Sequence, residues 1–320
     1  MSKIVQCVPN FSEGRNLDKI EAIVSVLKNK EGFKLVSYEP DADYNRTVVT
    51  LLGDPLKIIE AVVEFTGVVL EVIDMNSQSG EHPRMGAVDV IPFIPIANVT
   101  MDECIEYAHT IGKRINDEYN IPIFLYAEAA QKSDRVSLPN IRKGEFEGMK
   151  EKIKEENWTP DYGNAEIHPT FGVIGVGARI PLIAYNIDLK TDDIKVASNI
   201  AKAIRNSSGG FSYVQAGPAL LEQRGHVQVT MNILDFKKNP IYRIFETVKM
   251  ESARYHVEVM SAELVGLLPK DALLQSLRYY FSVDNIKYNK EMSLDEITKY
   301  AIQYLQFRDF DKMKIIEAYI

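Results

Sequence analysis

Short runs of aliphatic and β-branched residues alternate along this chain with longer stretches whose apolar positions recur every three or four residues. Lys3 to Val8 reads as a strand and runs into the turn-rich Pro9-Asn10-Phe11-Ser12-Glu13-Gly14. Leu17, Ile20, Ile23, Val24 and Leu27 fall at helical spacing, which predicts a helix to about Lys28. Strands are expected over Phe33–Tyr38 and Thr47–Leu52, with a polar loop at Pro40–Tyr44 between them. Asp54 followed by Pro55 is a cap and a first helical residue, and the helix they open carries Ile58, Ile59, Val62, Val63 and Phe65. A strand over Val88–Ile96, a helix from the Thr100/Glu103 capping box to about Tyr119, and a buried strand over Ile121–Tyr126 complete the first half.

The same order of elements returns after Arg179. Leu182–Leu189 is a strand, Thr191–Arg205 a helix, Gln215 lies in a second strand and His226–Leu234 in a third. Pro240–Tyr255 is a helix, Val257–Leu264 a fourth strand, and Leu268-Pro269 opens a helix to about Phe281. A Ser293/Glu296 capping box starts an amphipathic helix to about Gln306. No residue-level repeat accompanies this. The expected class is α/β, strictly α+β: two ferredoxin-like split-βαβ subdomains, each a mixed sheet with helices outside, the two sheets facing each other. The boundaries are 1–178 and 179–320.

Charge and composition narrow the partners. The 320 residues are 46% hydrophobic and 26% charged with a net charge of −8, a globular profile without a basic stripe for nucleic acid. No apolar run reaches the roughly 20 residues that span a bilayer, and no signal-peptide pattern precedes the first strand, so a cytoplasmic protein is expected. The only cysteines, Cys7 and Cys104, read as buried and inert in a reducing compartment. The five histidines show no metal-ligand spacing, so no metal is expected.

Within that frame one stretch stands out: Gly80-Glu81-His82-Pro83-Arg84-Met85-Gly86, a polar turn leading into an apolar strand. It sets an acid, an imidazole and a fixed cation within four positions, and an imidazole titrates near pH 6.5 when unperturbed. Proline after His82, and again after His168, holds each histidine extended. Polar tips recur at Asn10–Gly14, Asp41–Arg46 and Gly80–Arg84. Brought to one sheet edge they gather Asn10, Glu13, Asp41, Asn45, Arg46, Glu81, His82 and Arg84, a set suited to a small zwitterionic or polyanionic substrate. The long connection Gln131–Ala178 holds Tyr162 and Phe171, able to stack on a flat ligand, and Gly172, Gly175 and Gly177, able to let backbone approach one.

Val8-Pro9-Asn10-Phe11-Ser12-Glu13-Gly14, Asn45-Arg46-Thr47-Val48, Gly80-Glu81-His82-Pro83-Arg84-Met85-Gly86-Ala87, Asp102-Glu103-Cys104, Ile141-Arg142-Lys143-Gly144-Glu145 and Gly177-Ala178-Arg179 together resemble the glutamate formiminotransferase family. These are folate-dependent enzymes of histidine breakdown, fused in animals to a cyclodeaminase. The resemblance runs over nearly the whole chain and implies a homodimer whose subdomain sheets face each other across a ligand tunnel. It implies no cyclodeaminase domain here. It places the catalytic histidine on His82. The folate-binding segment falls on Gly163, Asn164, Ala165, Glu166, Ile167, His168, Pro169, Thr170, Phe171 and Gly172. The implied reaction moves a formimino group from N-formimino-L-glutamate to tetrahydrofolate, with or without a polyglutamate tail. Arg46 and Arg84 are then candidates for the substrate carboxylates, and Asp41 or Glu81 for the amidinium. The alternatives are an enzyme acting on 5-formyltetrahydrofolate in the same pocket and a non-catalytic folate-binding protein.

Overall fold

A computed structural model describes residues 2–42, 44–80, 82–221 and 224–320. The chain forms two compact units, residues 1–180 and 181–320. Unit one begins β1 (Ile4–Cys7), β2 (Asn10–Phe11), α1 (Leu17–Ser25), β3 (Phe33–Asp41), β4 (Arg46–Gly53), α2 (Pro55–Val72) and β5 (Val88–Ala97). It continues with α3 (Met101–Tyr119), β6 (Ile123–Ala127), α4 (Leu138–Arg142), α5 (Glu145–Lys152) and β7 (Ile174–Ala178). Unit two runs β8 (Ile183–Leu189), α6 (Ile194–Ile204), β9 (Val214–Leu221), β10 (His226–Ile233), α7 (Ile241–Ala253), β11 (Val259–Val265), α8 (Lys270–Val283) and α9 (Leu294–Leu305).

The helix starts follow from local chemistry. Asp54 accepts the amides of Leu56 and Lys57, and Pro55 occupies the first helical position. The Thr100/Glu103 and Ser293/Glu296 capping boxes both form. At the first helix Asn16 caps α1 through the Lys19 amide.

Strand pairing gives both units one order. In unit one β5, β1, β4 and β3 are neighbours, each pair antiparallel. In unit two the neighbours are β11, β8, β10 and β9, again antiparallel. The expected mixed sheet occurs only in unit one, where β7 and β6 add parallel to β5. The sheet of unit two is four-stranded and wholly antiparallel. In unit one β2 continues the line of β1 after a break at Val8-Pro9, and pairs with the same two neighbours.

One side of the first sheet buries Val5, Cys7, Val49, Leu51, Ile91 and Phe93 against the apolar stripes of α1, α2 and α3. A smaller cluster of Met85, Val90, Phe124, Tyr126, Ile141 and Met149 joins the linker helices to the sheet. Residues 172–178 were expected as an open glycine-rich connection. Instead Ile174–Ala178 is the buried strand β7 between β5 and β6. Its glycines receive side chains: a Cβ on Gly175 would stand 2.8 Å from the Met85 methyl, and one on Gly177 2.7 Å from the Tyr126 ring. They are spaces for packing, and the backbone there is closed to a ligand.

Glycines also let loops approach one another. A Cβ on Gly14 would lie 2.1 Å from the Asp41 carbonyl oxygen and 2.7 Å from the Arg46 nitrogen. By contrast, nothing lies within 4 Å of a Cβ on Gly148, which is inside α5. Gly14→Ala is therefore expected to cost about 1–3 kcal/mol through overpacking. Gly148→Ala should add roughly 0.4–1 kcal/mol by restricting the unfolded chain. Urea denaturation of both variants checks the pair; equal effects would contradict the close approach at Gly14.

Candidate active site

Three loops of unit one meet, and the Asn45 side chain joins them. Its Oδ1 accepts the Gly14 amide at 2.9 Å, and its Nδ2 donates to the Ser79 carbonyl at 2.7 Å. Its own carbonyl accepts from Gln78 Nε2 at 3.0 Å. Asn45 adopts a left-handed backbone, φ 49°, which asparagine tolerates better than most residues. Arg15 adds a second tie, Nε to the Ala42 carbonyl at 2.7 Å and Nη1 to the Ser79 carbonyl at 3.2 Å. Gly80 completes the closure, because a Cβ there would be 2.5 Å from the Tyr44 carbonyl oxygen.

Two positions on, the His82 amide donates to the Tyr44 carbonyl at 3.4 Å. The residue is only 6% exposed. Its imidazole lies within electrostatic reach of one carboxylate, Asp89, and three guanidiniums, Arg46, Arg142 and Arg84. Burial, followed by those three cations, pushes its pKa down to about 3, against the pull of Asp89. The side chain is therefore neutral at pH 7, the state in which it can accept a proton. It does not titrate near neutrality as the isolated residue would.

The three arginines differ. Arg84 is saturated: Nε donates to Gln78 Oε1 at 2.8 Å, Nη1 to Glu145 at 2.6 Å and Glu147 at 3.1 Å, and Nη2 to Glu147 at 2.8 Å and the Gln78 carbonyl at 3.2 Å. Burial opposes its charge, but the two glutamates outweigh that and raise its pKa. With the Phe146 amide donating to the Arg84 carbonyl at 2.9 Å, this cluster docks α5 on the histidine turn. Arg46 is half-buried with its guanidinium 5.4 Å from the Tyr44 ring centroid, and its Nε is buried without a hydrogen-bond partner among the described residues. Burial and Arg142 lower its pKa, while Asp41 and Asp89 act the other way. Arg142 ends α4, ion-pairs through Nη2 with Asp89 Oδ2, and likewise keeps a buried, unpartnered Nε. Asp89 itself is 1% exposed, and its Oδ1 accepts the Met85 amide at 3.0 Å.

The remaining candidates divide. Asp41, at the end of β3, accepts the Tyr44 amide at 2.9 Å beside Arg46. Asn10 belongs to β2 and not to a loop tip; its amide folds back to the Val8 carbonyl at 3.1 Å. Glu81 lies outside the described residues. Gly163, Asn164, Ala165 and Glu166 are exposed, and Ile167 packs on the core. The His168 and Gly172 backbones bond each other at 3.1 and 2.9 Å, and His168 Nδ1 accepts the Phe171 amide at 3.2 Å. Thr170 and Pro169 carbonyls hold Met75 and Asn76. The expected stacking role for Phe171 fails, since its ring is 0% exposed within the core. Tyr162 stays half-buried, its hydroxyl 2.8 Å from His109 Nδ1.

The 168–173 stretch lies against the residues that follow the histidine. The Ala87 amide donates to the Phe171 carbonyl at 2.8 Å, and the Val173 amide to the Met85 carbonyl at 3.1 Å. Asp89 and Arg142 were not assigned from sequence. A buried acid between Val88 and Val90 was the available signal for the first. The second lay inside a family-like motif but far from the histidine along the chain. Cys7 and Cys104 are both buried and free; burial raises both thiols, Cys104 to about 12. Among the described residues no group of three or more His, Cys, Asp or Glu could hold a metal ion, and no helix is long and apolar enough to cross a membrane.

The His82 shift fixes a pH dependence. In the unfolded chain the imidazole binds its proton at about 6.5, and in the folded chain near 3. Between those values the unfolded state holds the extra proton, so stability is lost as pH falls through that window. His82→Gln should lose less melting temperature than the parent chain between pH 7 and pH 5. Parallel losses would contradict a buried neutral imidazole.

Comparison with known proteins adds the family context. The formiminotransferase domain, N-terminal subdomain, matches residues 4–179, and the formiminotransferase domain matches residues 184–320. The chain is similar to glutamate formimidoyltransferase of Streptococcus pyogenes serotype M1, with 48% identity over 91% of this chain and 98% of that one. It is similar to glutamate formimidoyltransferase of Thermoplasma acidophilum at 41% identity, over 88% of this chain and 93% of the relative. Formimidoyltransferase-cyclodeaminase of Gallus gallus matches at 38% identity over 89% of this chain but only 54% of its own length.

Proposed function

Since the chain belongs to the formiminotransferase family, we propose that the site around His82 transfers the formimino group of N-formimino-L-glutamate to N-5 of tetrahydrofolate, releasing L-glutamate. The relatives that match nearly their full length carry the name glutamate formimidoyltransferase, and this chain acts as a transferase of that kind. The observation that carries the residue-level reading is a contact within unit one. The segment that the resemblance assigns to folate, residues 163–172, is hydrogen-bonded through the Phe171 carbonyl to the Ala87 amide at the strand entry that follows His82.

N-5 of the folate attacks the formimino carbon and a tetrahedral adduct forms. His82, neutral at pH 7, takes the proton from N-5. It returns that proton to the glutamate nitrogen as the old carbon–nitrogen bond breaks. The pKa near 3 belongs to the unliganded site. Carboxylates arriving beside the arginines offset the cations that depress it, so substrate binding strengthens the base. Arg46 suits a substrate carboxylate because its Nε is buried and unpartnered among the described residues. Asp41 lies beside it for the amidinium. Arg84, with every donor engaged, holds the turn instead. The exposed 163–166 stretch is the part of the folate segment free to meet a ligand, including a polyglutamate tail. Cytoplasmic work is supported by the two free, buried thiols, and a homodimer by the family resemblance alone.

A coupled assay with N-formimino-L-glutamate and tetrahydrofolate, following acid cyclisation of the product, tests the reaction. 5-Formyltetrahydrofolate in a parallel assay separates the rival chemistry. His82→Ala and His82→Asn should each reduce kcat by about 10²- to 10⁴-fold, the usual range for a general base, with folate binding retained. Near-normal turnover in both would end the role given to His82.

A further inference from the structure

We infer that Arg142, supplied by the linker helix α4, binds a carboxylate of the formimino donor and sets the preference of this site for a dicarboxylate. The inference rests on the reaction proposed above and names a residue of the same site.

Arg142 is held on one side only. Its Nη2 pairs with Asp89 Oδ2, and Asp89 is anchored by the Met85 amide at 3.0 Å. Its Nε is buried and has no partner among the described residues. A buried guanidinium donor without an acceptor is costly unless a ligand supplies one. Arg46 presents a second such Nε, and each of these cations acts on the other and on His82. Arg84 is already neutralised by Glu145 and Glu147. What remains beside the imidazole is Arg46 and Arg142 against Asp89, which is engaged with Arg142 and the Met85 amide, and Asp41, which lies beside Arg46. N-formimino-L-glutamate carries two carboxylates and one amidinium, one net negative charge. Two arginines with spare donors match two carboxylates, and the acid left over matches the amidinium.

The segment holding Arg142 is braced for such a task. Lys152 Nζ donates to the carbonyls of Asn140 at 2.5 Å, Ile141 at 2.8 Å and Lys143 at 3.2 Å, and sits 3.8 Å above the Trp158 ring. Those carbonyls flank Arg142 on both sides. The helix end is therefore fixed by contacts that make no use of the Arg142 guanidinium.

The test uses the full chain and steady-state kinetics with each co-substrate varied in turn. Arg142→Gln should raise KM for N-formimino-L-glutamate by about 10- to 100-fold, the loss expected when a charge-assisted hydrogen bond is removed. KM for tetrahydrofolate should stay within about twofold, and Arg142→Lys should recover part of the loss because it keeps the charge. An unchanged donor KM in Arg142→Gln, or a rise in the folate KM in its place, would overturn the assignment. Titration of L-glutamate by calorimetry separates this result from the parent reading, since it needs no turnover. If the unaltered chain fails to turn over formiminoglutamate, the reaction is wrong. Weaker glutamate binding in Arg142→Gln than in Arg142→Lys would then still support the carboxylate site, and equal binding would overturn it.

Discussion

The site depends on one side-chain amide. The Asn45 side chain joins positions 14 and 79, its backbone carbonyl accepts from Gln78, and Arg15 adds a second tie between the same loops. The geometry is possible only because Gly14 and Gly80 have no Cβ where their neighbours' carbonyl oxygens stand. Sheet order brings the ends of β2, β3 and β4 near one another, but strand ends splay unless something crosses between them. Hydrogen bonds to buried backbone groups do so with direction as well as energy, because each group left unpaired would carry its desolvation cost. The positions of His82 and Arg46 follow, since both residues are attached to the joined loops.

Burial is what makes the assembled groups reactive. An imidazole at the surface would screen its neighbours with water and titrate near its ordinary value. Here the ring is removed from water beside three guanidiniums and one carboxylate, and burial leads the resulting shift. The buried, unpartnered Nε atoms of Arg46 and Arg142 are unfavourable for the empty protein, and entering anions can supply their acceptors. The two saturated ends of the network, Asp89 on the Met85 amide and Arg84 on Gln78, keep the arrangement from relaxing before they do. Strain of this kind at a site is commonly offset by stability gained elsewhere, and the apolar face beneath α1, α2 and α3 is the available source.

Local signals were legible in the sequence, and long-range ones only in part. The capping boxes at Thr100 and Ser293 and the Asp54-Pro55 start depend on residues within one helical turn, so spacing sufficed to find them. The recurrence of one strand order in the two units was legible as an order of elements. Gly175 and Gly177 misled, because a glycine in a strand and a glycine in a loop look alike until the side chains that need the space, Met85 and Tyr126, are known. Phe171 misled for the same reason: it lies in the loop-like His168-Pro169-Thr170-Phe171-Gly172 stretch, yet the ring joins the core. The tips at 14, 42, 44–45 and 79–80 meet, whereas Asn10 stays in β2 and Glu81 lies outside the described residues; Asp89 and Arg142 come beside His82 from a strand interior and a linker helix, places where charge pattern along the chain gives no hint of proximity.

The arginines show how similar residues come to different uses. Arg84 sits two positions from the histidine and looks, on sequence alone, like the best ligand for an anion. It is instead enclosed by Gln78, Glu145 and Glu147, and a guanidinium with all donors engaged must break bonds before it can form new ones. Arg46 and Arg142 lie farther along the chain but each retains a buried donor facing no protein acceptor among the described residues. In a folded protein such donors are rare because folding selects against them. Two in one small volume, beside a buried imidazole, are difficult to account for by packing alone, whereas Arg84 is fully explained by the docking of α5. Arg135 also keeps a buried, unpartnered Nε while ion-paired to Asp161, so it is the unfilled donor together with a place beside the imidazole that separates Arg46 and Arg142 from a structural arginine.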